Sequence, residues 1–183
     1  TVSLLSSVGD NQAKDVSFNL FLAKHDIEDF LKANAITENV LFTGAFAYTL
    51  SRFVGDDKAL FNIIENGRDK YNIFNSIGMF VNTLPLLVDC KNQDTSSFIK
   101  QVSNLIRGVI RYNYYPFRLL ANRYDINSDI LFQFLPELDK SYTGGSVDIG
   151  ENDVMRSIGG LISDLTVQVI QHSQDYILDI KYS

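Results

Sequence analysis

The spacing of apolar and polar residues in the first third of the chain predicts one strand followed by two helices. Residues 17–22, "SFNLFL", alternate between polar and apolar, as in a strand with one buried face. In 25–35 the apolar residues recur at helical spacing, and in 38–53 they cover more than one stripe, which predicts a mostly buried helix that includes Phe53. Thr37 suits the N-cap of this second helix, and Gly55 suits its end.

The rest of the chain continues the alternation and finishes in a hairpin. "ALFNII" (59–64) predicts a second strand, and Thr95–Tyr112 predicts an amphipathic helix. Four further features follow along the chain: a short helix starting near Pro116, a strand in 129–135, a Gly-rich loop in 142–152, and two strands in 161–170 and 176–182 that pair across "QHSQD". Strands that alternate with helices before a terminal hairpin indicate a mixed α/β sandwich.

Length and composition narrow the class of protein. A chain of 183 residues fits one domain or one lobe of a larger one, and its net charge of −6 comes without a basic patch that would bind nucleic acid. The single cysteine, Cys90, excludes an internal disulfide and is best explained as a small core residue. No apolar run reaches the roughly 18 residues needed to cross a membrane. The first residues lack a methionine and a signal peptide, so we expect a piece of a cytoplasmic protein.

Neither histidine belongs to a recognisable catalytic set. His25 precedes Asp29 by four residues, a spacing found in several acyltransferases, but on a helix it is better explained as a solvated surface pair. His172 lies in a predicted turn, where an exposed polar residue is common. The sequence has no G-x-S-x-G nucleophile elbow and no phosphate-binding G-x-x-x-x-G-K-[ST] loop. We therefore predict no catalytic residue and no metal site in these residues.

One amide stands out in the apolar stretch "SIGMFVNTLPLLVD" (76–89). Burying the side chain of Asn82 without a partner would cost about 1–3 kcal/mol, so this residue needs a role. Strand periodicity puts Phe80, Asn82 and Leu84 on one face, and Pro85 suits a strand at the edge of a sheet. The sequence therefore predicts that Asn82 lies where its strand opens onto a cleft.

Residues 41–89 resemble the second half of a nonribosomal peptide synthetase condensation domain. Ser51–Asp57 matches the family's "sRytGqdd" turn, and Gly67 and Arg68 match the end of its next strand. The signature "IGxFVNTLPLR" is matched by residues 77–86, "IGMFVNTLPL". Further matches follow in the family's order, so that the resemblance covers roughly residues 17–183. Asn113, Pro116 and Phe117 match the element "(H/N)QDxPFE". Asp125 and Gln133 match "RDLSRNPLFQV", and Asp164 matches "FDLsL".

The sequence also departs from the family pattern. Leu87 stands in place of an arginine and Arg118 in place of a glutamate. Tyr124 and Ser128 replace two arginines, and Ile130 replaces a proline. The family's His-His-x-x-x-Asp-Gly element, which belongs to the preceding lobe, is absent from these residues.

The resemblance implies the C-terminal lobe of a condensation domain. Its fold would be a two-layer α/β sandwich of the chloramphenicol-acetyltransferase type, with a mixed sheet flanked by helices. Residues 17–183 would form the lobe, and residues 1–16 a flexible segment from the preceding lobe or a linker. In the family two lobes form a V, and carrier proteins deliver a thioester and an amine on phosphopantetheine arms into a tunnel between them. The implied partners are thus the N-terminal lobe and peptidyl carrier proteins, and no cofactor is bound directly.

The resemblance also assigns candidate residues. Gly78, Phe80, Asn82 and Thr83 would lie at the tunnel or the lobe interface, so the loss of Asn82 would affect turnover more than stability. A simpler alternative is that Asn82 bonds only neighbouring backbone. Matching positions with a structural role in the motifs would be Arg68, Pro116, Phe117, Asp125, Gln133 and Asp164.

Three functions stay open from the sequence. The first is one lobe of an amide-forming synthetase domain, inactive alone because the histidine element is missing. The second is a non-catalytic module of the same fold that docks carrier proteins, and the third is a subunit of a smaller acyl-CoA-type acyltransferase.

Overall fold

The computed structural model describes ten helices and strands. It covers residues 14–20, 22, 24–65, 67, 77–78, 80–91, 94–126, 129–136, 163–172 and 175–182. The strands are β1 (Lys14–Leu20), β2 (Lys58–Glu65), β3 (Asn82–Asp89), β4 (Ile130–Leu135), β5 (Leu165–His172) and β6 (Asp175–Tyr182). The helices are α1 (Lys24–Asn34), α2 (Glu38–Val54), α3 (Thr95–Arg111) and α4 (Phe117–Tyr124).

The described strands form one mixed sheet in the order β1-β6-β5-β4-β2-β3. β4 runs parallel to β2 on one side and to β5 on the other, and the remaining neighbours are antiparallel. The predicted terminal hairpin is present, with Leu165 opposite Tyr182 and His172 opposite Asp175. This confirms the predicted mixed α/β architecture.

Local side-chain bonds define where the helices begin and end. The Thr37 hydroxyl accepts a hydrogen bond from the Val40 amide at 3.4 Å and caps α2, as the sequence predicts. Asp94 caps α3 in the same way by accepting from the Ser97 amide at 3.0 Å. Gly55 ends α2 in the left-handed conformation, where a side chain would be strained.

Aromatic side chains of α2 fill the core between the helices and the sheet. The Phe46 ring lies 4.9 Å from that of Phe132 on β4 and 5.0 Å from that of Phe61 on β2. Phe42 contacts the ring of Tyr176 on β6 at 4.8 Å. α3 adds its apolar face, and Cys90 is buried in the same core as predicted. The core therefore lies on one face of the sheet, beneath α2 and α3.

Some predicted boundaries differ from the structure. β1 begins at Lys14, inside the segment predicted to be flexible, and β5 begins at Leu165 rather than at residue 161. The prediction that Phe53 belongs to a buried stripe is wrong, because 78% of its surface is exposed. Spacing gives the side of a helix on which a residue lies, but not how far along the helix the sheet extends. The Gly-rich loop 142–152 lies outside the described residues.

Candidate functional site at the start of strand β3

The candidate amide is the first residue of an edge strand. Asn82 begins β3 and pairs with Glu65, the last residue of β2. β3 forms one end of the described sheet, so Pro85 occupies an edge strand, as expected for a residue without an amide hydrogen. Phe80 precedes the strand in irregular backbone and is half-buried. The paired strand therefore starts two residues after Phe80, so only Asn82 and Leu84 of the predicted face of Phe80, Asn82 and Leu84 belong to it.

The Asn82 side chain is held by the backbone between α3 and α4. Its Nδ2 donates hydrogen bonds to the carbonyl oxygen of Asn113 and, at 3.3 Å, to that of Tyr115. These carbonyls belong to the turn that separates the two helices, 31 and 33 residues further along the chain. The amide thus ties the start of β3 to the residues immediately before Pro116, which agrees with the alternative that Asn82 bonds backbone. A contact between Asn82 and a substrate stays a prediction.

Close to these hydrogen bonds, Gly67 and Gly78 pack tightly against Phe80. Gly67, just after β2, has a positive φ of 67°, and a Cβ built there would collide with the carbonyl oxygen of Phe80. A Cβ on Gly78 would lie 3.1 Å from carbon atoms of the Phe80 ring. Both the positive φ and the nearby carbonyl oxygen of Phe80 therefore favour glycine at position 67 of this chain.

The structure places the predicted residues Asn82 and Asp164 at opposite ends of the sheet. Asn82 lies where β2 ends, and Pro116 and Phe117 join it there because Tyr115 accepts its hydrogen bond. β4 and β5 run parallel to β2, so Asp164, just before β5, lies at the other end. Asp125 ends α4 with a φ of 51° on the way to β4. Gln133 lies within β4, one residue beyond the Ile63–Phe132 pair, and is therefore nearer to the Asn82 end than Asp164 is. These predicted residues therefore do not form one site.

The other predicted site residues lie at the start of β3, before it, and at the start of α4. Thr83 is half-buried and pairs with Ile64, and Gly78 is exposed. Pro116 caps α4 with a φ of −64° and Phe117 is its first residue. Arg68 lies outside the described residues.

One amide pair was missed at the sequence level. Gln168 on β5 is buried, and its Nε2 donates to the Oε1 of Gln133 on β4 at 3.0 Å. Within the described part of the chain the Oε1 of Gln168 has no hydrogen-bond partner. The signal was available, because Gln168 is an amide inside the apolar run "LTVQVI", as Asn82 is in its own stretch.

Neither His25 nor Cys90 is placed as an acid–base catalyst would be. His25 is exposed, and its Nε2 lies 2.9 Å from a carboxylate oxygen of Asp26, so the predicted pairing with Asp29 is wrong. Burial raises the pKa of the Cys90 thiol, which disfavours the reactive thiolate. No group of three or more His, Cys, Asp or Glu side chains in the described ranges could hold a metal ion. None of the described helices combines the length and apolarity needed to cross a membrane.

A second buried polar contact joins α2 to β6. The hydroxyl of Tyr176, whose side chain is fully buried, donates to the Glu38 carboxylate at 2.6 Å. Burial and the neighbouring Glu38 raise the pKa of Tyr176 above its usual value. This contact secures the beginning of α2 and stands apart from the Asn82 end of the sheet in sequence and partners.

Solved structures share the fold of this chain. The first condensation domain of the CDA synthetase aligns with a TM-score of 0.72 at 16% identity, over 98% of this chain and 42% of that one. VibH, an NRPS condensation enzyme, aligns with a TM-score of 0.72 at 16% identity, over 93% of this chain and 41% of that one.

Sequence comparison gives relatives in fungi and bacteria. Nonribosomal peptide synthetase 5 of Aspergillus fumigatus is 29% identical over 138 residues, which cover 73% of this chain and 6% of that protein. Surfactin synthase subunit 1 of Bacillus subtilis is 25% identical over 169 residues, 87% of this chain and 5% of that protein. The chain thus spans a small part of the length of these relatives. The family model of the Condensation domain matches residues 5–183, and the chain belongs to this family.

Proposed function

We propose that this chain is the C-terminal lobe of a condensation domain that forms an amide bond between a thioester and an amine carried on carrier proteins. We further propose that it is inactive alone, because the histidine that promotes amide formation belongs to the other lobe. Its partners are then the N-terminal lobe and peptidyl carrier proteins, and its substrates arrive on phosphopantetheine arms.

One observation carries the proposal. The family match extends over residues 5–183, yet the chain covers only 42% and 41% of the two solved condensation-domain chains described above. Nearly the whole of this chain aligns, yet the alignment spans less than half of each solved chain. If the domain has two lobes, this chain has the length of one lobe.

The chemistry of the described residues supports the second part. General acid–base catalysis needs a group that exchanges a proton within hydrogen-bonding reach of the substrate. Among the described side chains, His25 is a surface residue paired with Asp26, and the thiol of Cys90 is buried, which raises its pKa. The lobe can bind and orient substrates, and proton transfer is left to the partner lobe.

The Asn82 end of the sheet is the part of this lobe that we assign to the tunnel. Here Asn82 of the signature residues 77–86 bonds the turn before Pro116, and two other signature residues, Ile77 and Val81, are exposed. Exposed apolar residues next to this hydrogen-bonded turn suit a surface that another lobe covers. Asn82 then acts by holding this surface in shape.

The test is an amide-formation assay with two carrier proteins, one loaded with an aminoacyl thioester donor and one with an amino acid acceptor. Mass spectrometry should detect no product with the 183-residue chain and a product with a protein that also carries a lobe containing His-His-x-x-x-Asp-Gly. Changing the second histidine of that element to alanine should abolish the product. Amide formation by the chain alone would contradict the proposal.

The second candidate function, a non-catalytic docking module, is favoured by Leu87. This residue replaces the family's arginine and is 54% exposed on the edge strand β3. If a two-lobed protein with an intact histidine element forms no amide but still binds carrier proteins, the docking function replaces the catalytic one. Leu87→Arg then tests whether this one position accounts for the missing activity.

A further inference from the structure

The two outer strands of the described sheet differ in how they resist pairing with another strand. β3 carries Pro85 in its middle, and proline cannot donate a hydrogen bond to an added strand. β1 has no proline in its seven residues, "KDVSFNL", and within the described part of the chain it pairs only with β6. An open, regular edge of this kind is a template for a further strand.

Two apolar side chains are exposed along this open edge. Val16 is 36% exposed and Phe18 is 51% exposed. They lie beside Ile180 and Leu178 of β6, which pack against the core. Because these four positions alternate with polar ones, they share the face of the sheet that the helices cover. The apolar core thus continues to the edge, where nothing in the described residues covers it.

The strand is self-complementary in one register. In an antiparallel pair, residues whose amide and carbonyl groups point outward must oppose each other, and such residues alternate along a strand. Two copies of β1 can therefore pair only if one residue lies directly opposite its own copy, with the two-fold axis between them. When this residue is Ser17, all seven residues of the strand are paired. Val16 then lies opposite Phe18 of the other copy, and Lys14 lies opposite Leu20.

We propose that β1 pairs antiparallel with β1 of a second copy of this chain, about a two-fold axis through Ser17. The two sheets then form one continuous sheet, and two Val16–Phe18 pairs join the apolar cores. Cross-strand pairs of an aromatic and a β-branched residue are among the favourable ones. A single added strand is a small interface, so we expect a dimer with a dissociation constant on the order of 10 µM. This inference is independent of the proposed catalytic function.

The first experiment is sedimentation velocity of the 183-residue chain from about 1 to 100 µM, a range that brackets the expected dissociation constant. The wild-type chain should pass from monomer to dimer. Phe18→Lys should weaken the dimer at least about tenfold, since it places a charge opposite Val16 of the other copy. Phe53→Lys is the matched control, because Phe53 is also an exposed aromatic residue but lies on α2. Circular dichroism checks that both variants stay folded.

The second experiment tests the register. In Ser17→Cys the two introduced thiols face each other across the axis, within the Cα separation of about 4.4–6.8 Å that a disulfide needs. In Asn19→Cys the thiols lie two residues from the axis on each strand and are too far apart. Mild oxidation should therefore link Ser17→Cys into dimers and leave Asn19→Cys unlinked.

Two outcomes would overturn the proposal. A wild-type chain that stays monomeric at about 100 µM shows that the edge does not pair with a second copy at this strength. Equal linking of the two cysteine variants, or equal weakening by Phe18→Lys and Phe53→Lys, shows that any dimer uses another surface.

Discussion

The side-chain amide of Asn82 donates a hydrogen bond to the backbone carbonyl of Tyr115 at 3.3 Å, and a second one to that of Asn113. A strand and a turn that are distant in sequence are thereby joined by one residue. This contact changes what is expected of Asn82, because a residue with two bonds to backbone contributes to stability whatever it does for substrates.

We expect Asn82→Ala to lower the free energy of unfolding by about 1–3 kcal/mol, because two part-buried carbonyls lose their donor. Asn82→Asp should be worse at neutral pH, since a carboxylate would face two carbonyl oxygens. Its pKa should rise in the folded state, so its deficit should shrink as the pH falls and the carboxyl becomes a donor. Urea unfolding at neutral and acidic pH measures the stability loss of each variant and how the loss in Asn82→Asp changes with pH. Equal stability of wild type and both variants would contradict the hydrogen bonds.

Gly67→Ala should destabilise the chain more than Gly55→Ala does. Both glycines have positive φ, but a Cβ on Gly55 meets nothing within 4 Å, whereas one on Gly67 collides with the carbonyl of Phe80. We expect a loss of about 1 kcal/mol at Gly55 from conformation alone, and at least about 2 kcal/mol at Gly67. Thermal unfolding of the two variants side by side gives the comparison. Similar losses would mean that residues 67 and 80 do not touch.

Tyr176→Phe should change the response of stability to alkaline pH. The raised pKa of Tyr176 means that the unfolded chain loses this proton before the folded chain does. Its contribution to stability is therefore complete below the usual tyrosine pKa of about 10, and it is lost as the pH rises above that value.

Urea unfolding between neutral pH and about pH 11 tests this, because that range spans the usual pKa. Tyr176→Phe should be less stable than wild type at neutral pH, through the lost bond to Glu38, and its stability should fall less steeply above pH 10. Tyr48→Phe is the control, because Tyr48 is 52% exposed. The same alkaline slope in wild type and Tyr176→Phe would be evidence against the burial of this hydroxyl.

The thiol of Cys90 should react slowly with 5,5′-dithiobis(2-nitrobenzoate) in the folded chain. It is 2% exposed, and burial raises its pKa, so both access and thiolate formation are limited. Absorbance should show a slow reaction in buffer and a fast one in concentrated urea. Arg52→Ala should speed the reaction in buffer, because Arg52 donates to the Cys90 carbonyl at 3.0 Å and holds the end of β3. Fast labelling of the wild-type chain in buffer would contradict the buried position.

Local patterns in the sequence predicted most of the helices and strands because the forces that select them are local. The apolar positions of α3, the Thr37 cap and the terminal hairpin each involve residues close together in the chain. The order of strands was not predicted, since placing β4 between β2 and β5 depends on contacts between distant segments.

The candidate site shows the same limit. The sequence identified Asn82 as an amide that needs a partner. It also predicted from Pro85 that this strand lies at the edge of the sheet, which the position of β3 confirms. It could not identify the carbonyls of Asn113 and Tyr115, because a backbone acceptor leaves no mark on the residue type. The separation of Asn82 from Asp164 likewise follows from strand directions that only the assembled sheet reveals.

The pairing of β1 with β6 has a consequence for synthesis of the chain. Lys14 lies opposite Tyr182, so the first described strand must wait for the last one before it can join the sheet. At the usual rates of translation that wait is roughly 10–30 s. During this time β2, β3 and β4 can already assemble with α2 and α3, while β1 leaves the ribosome without its neighbour. β1 is therefore open to aggregation, and to help from chaperones, until β6 has been made.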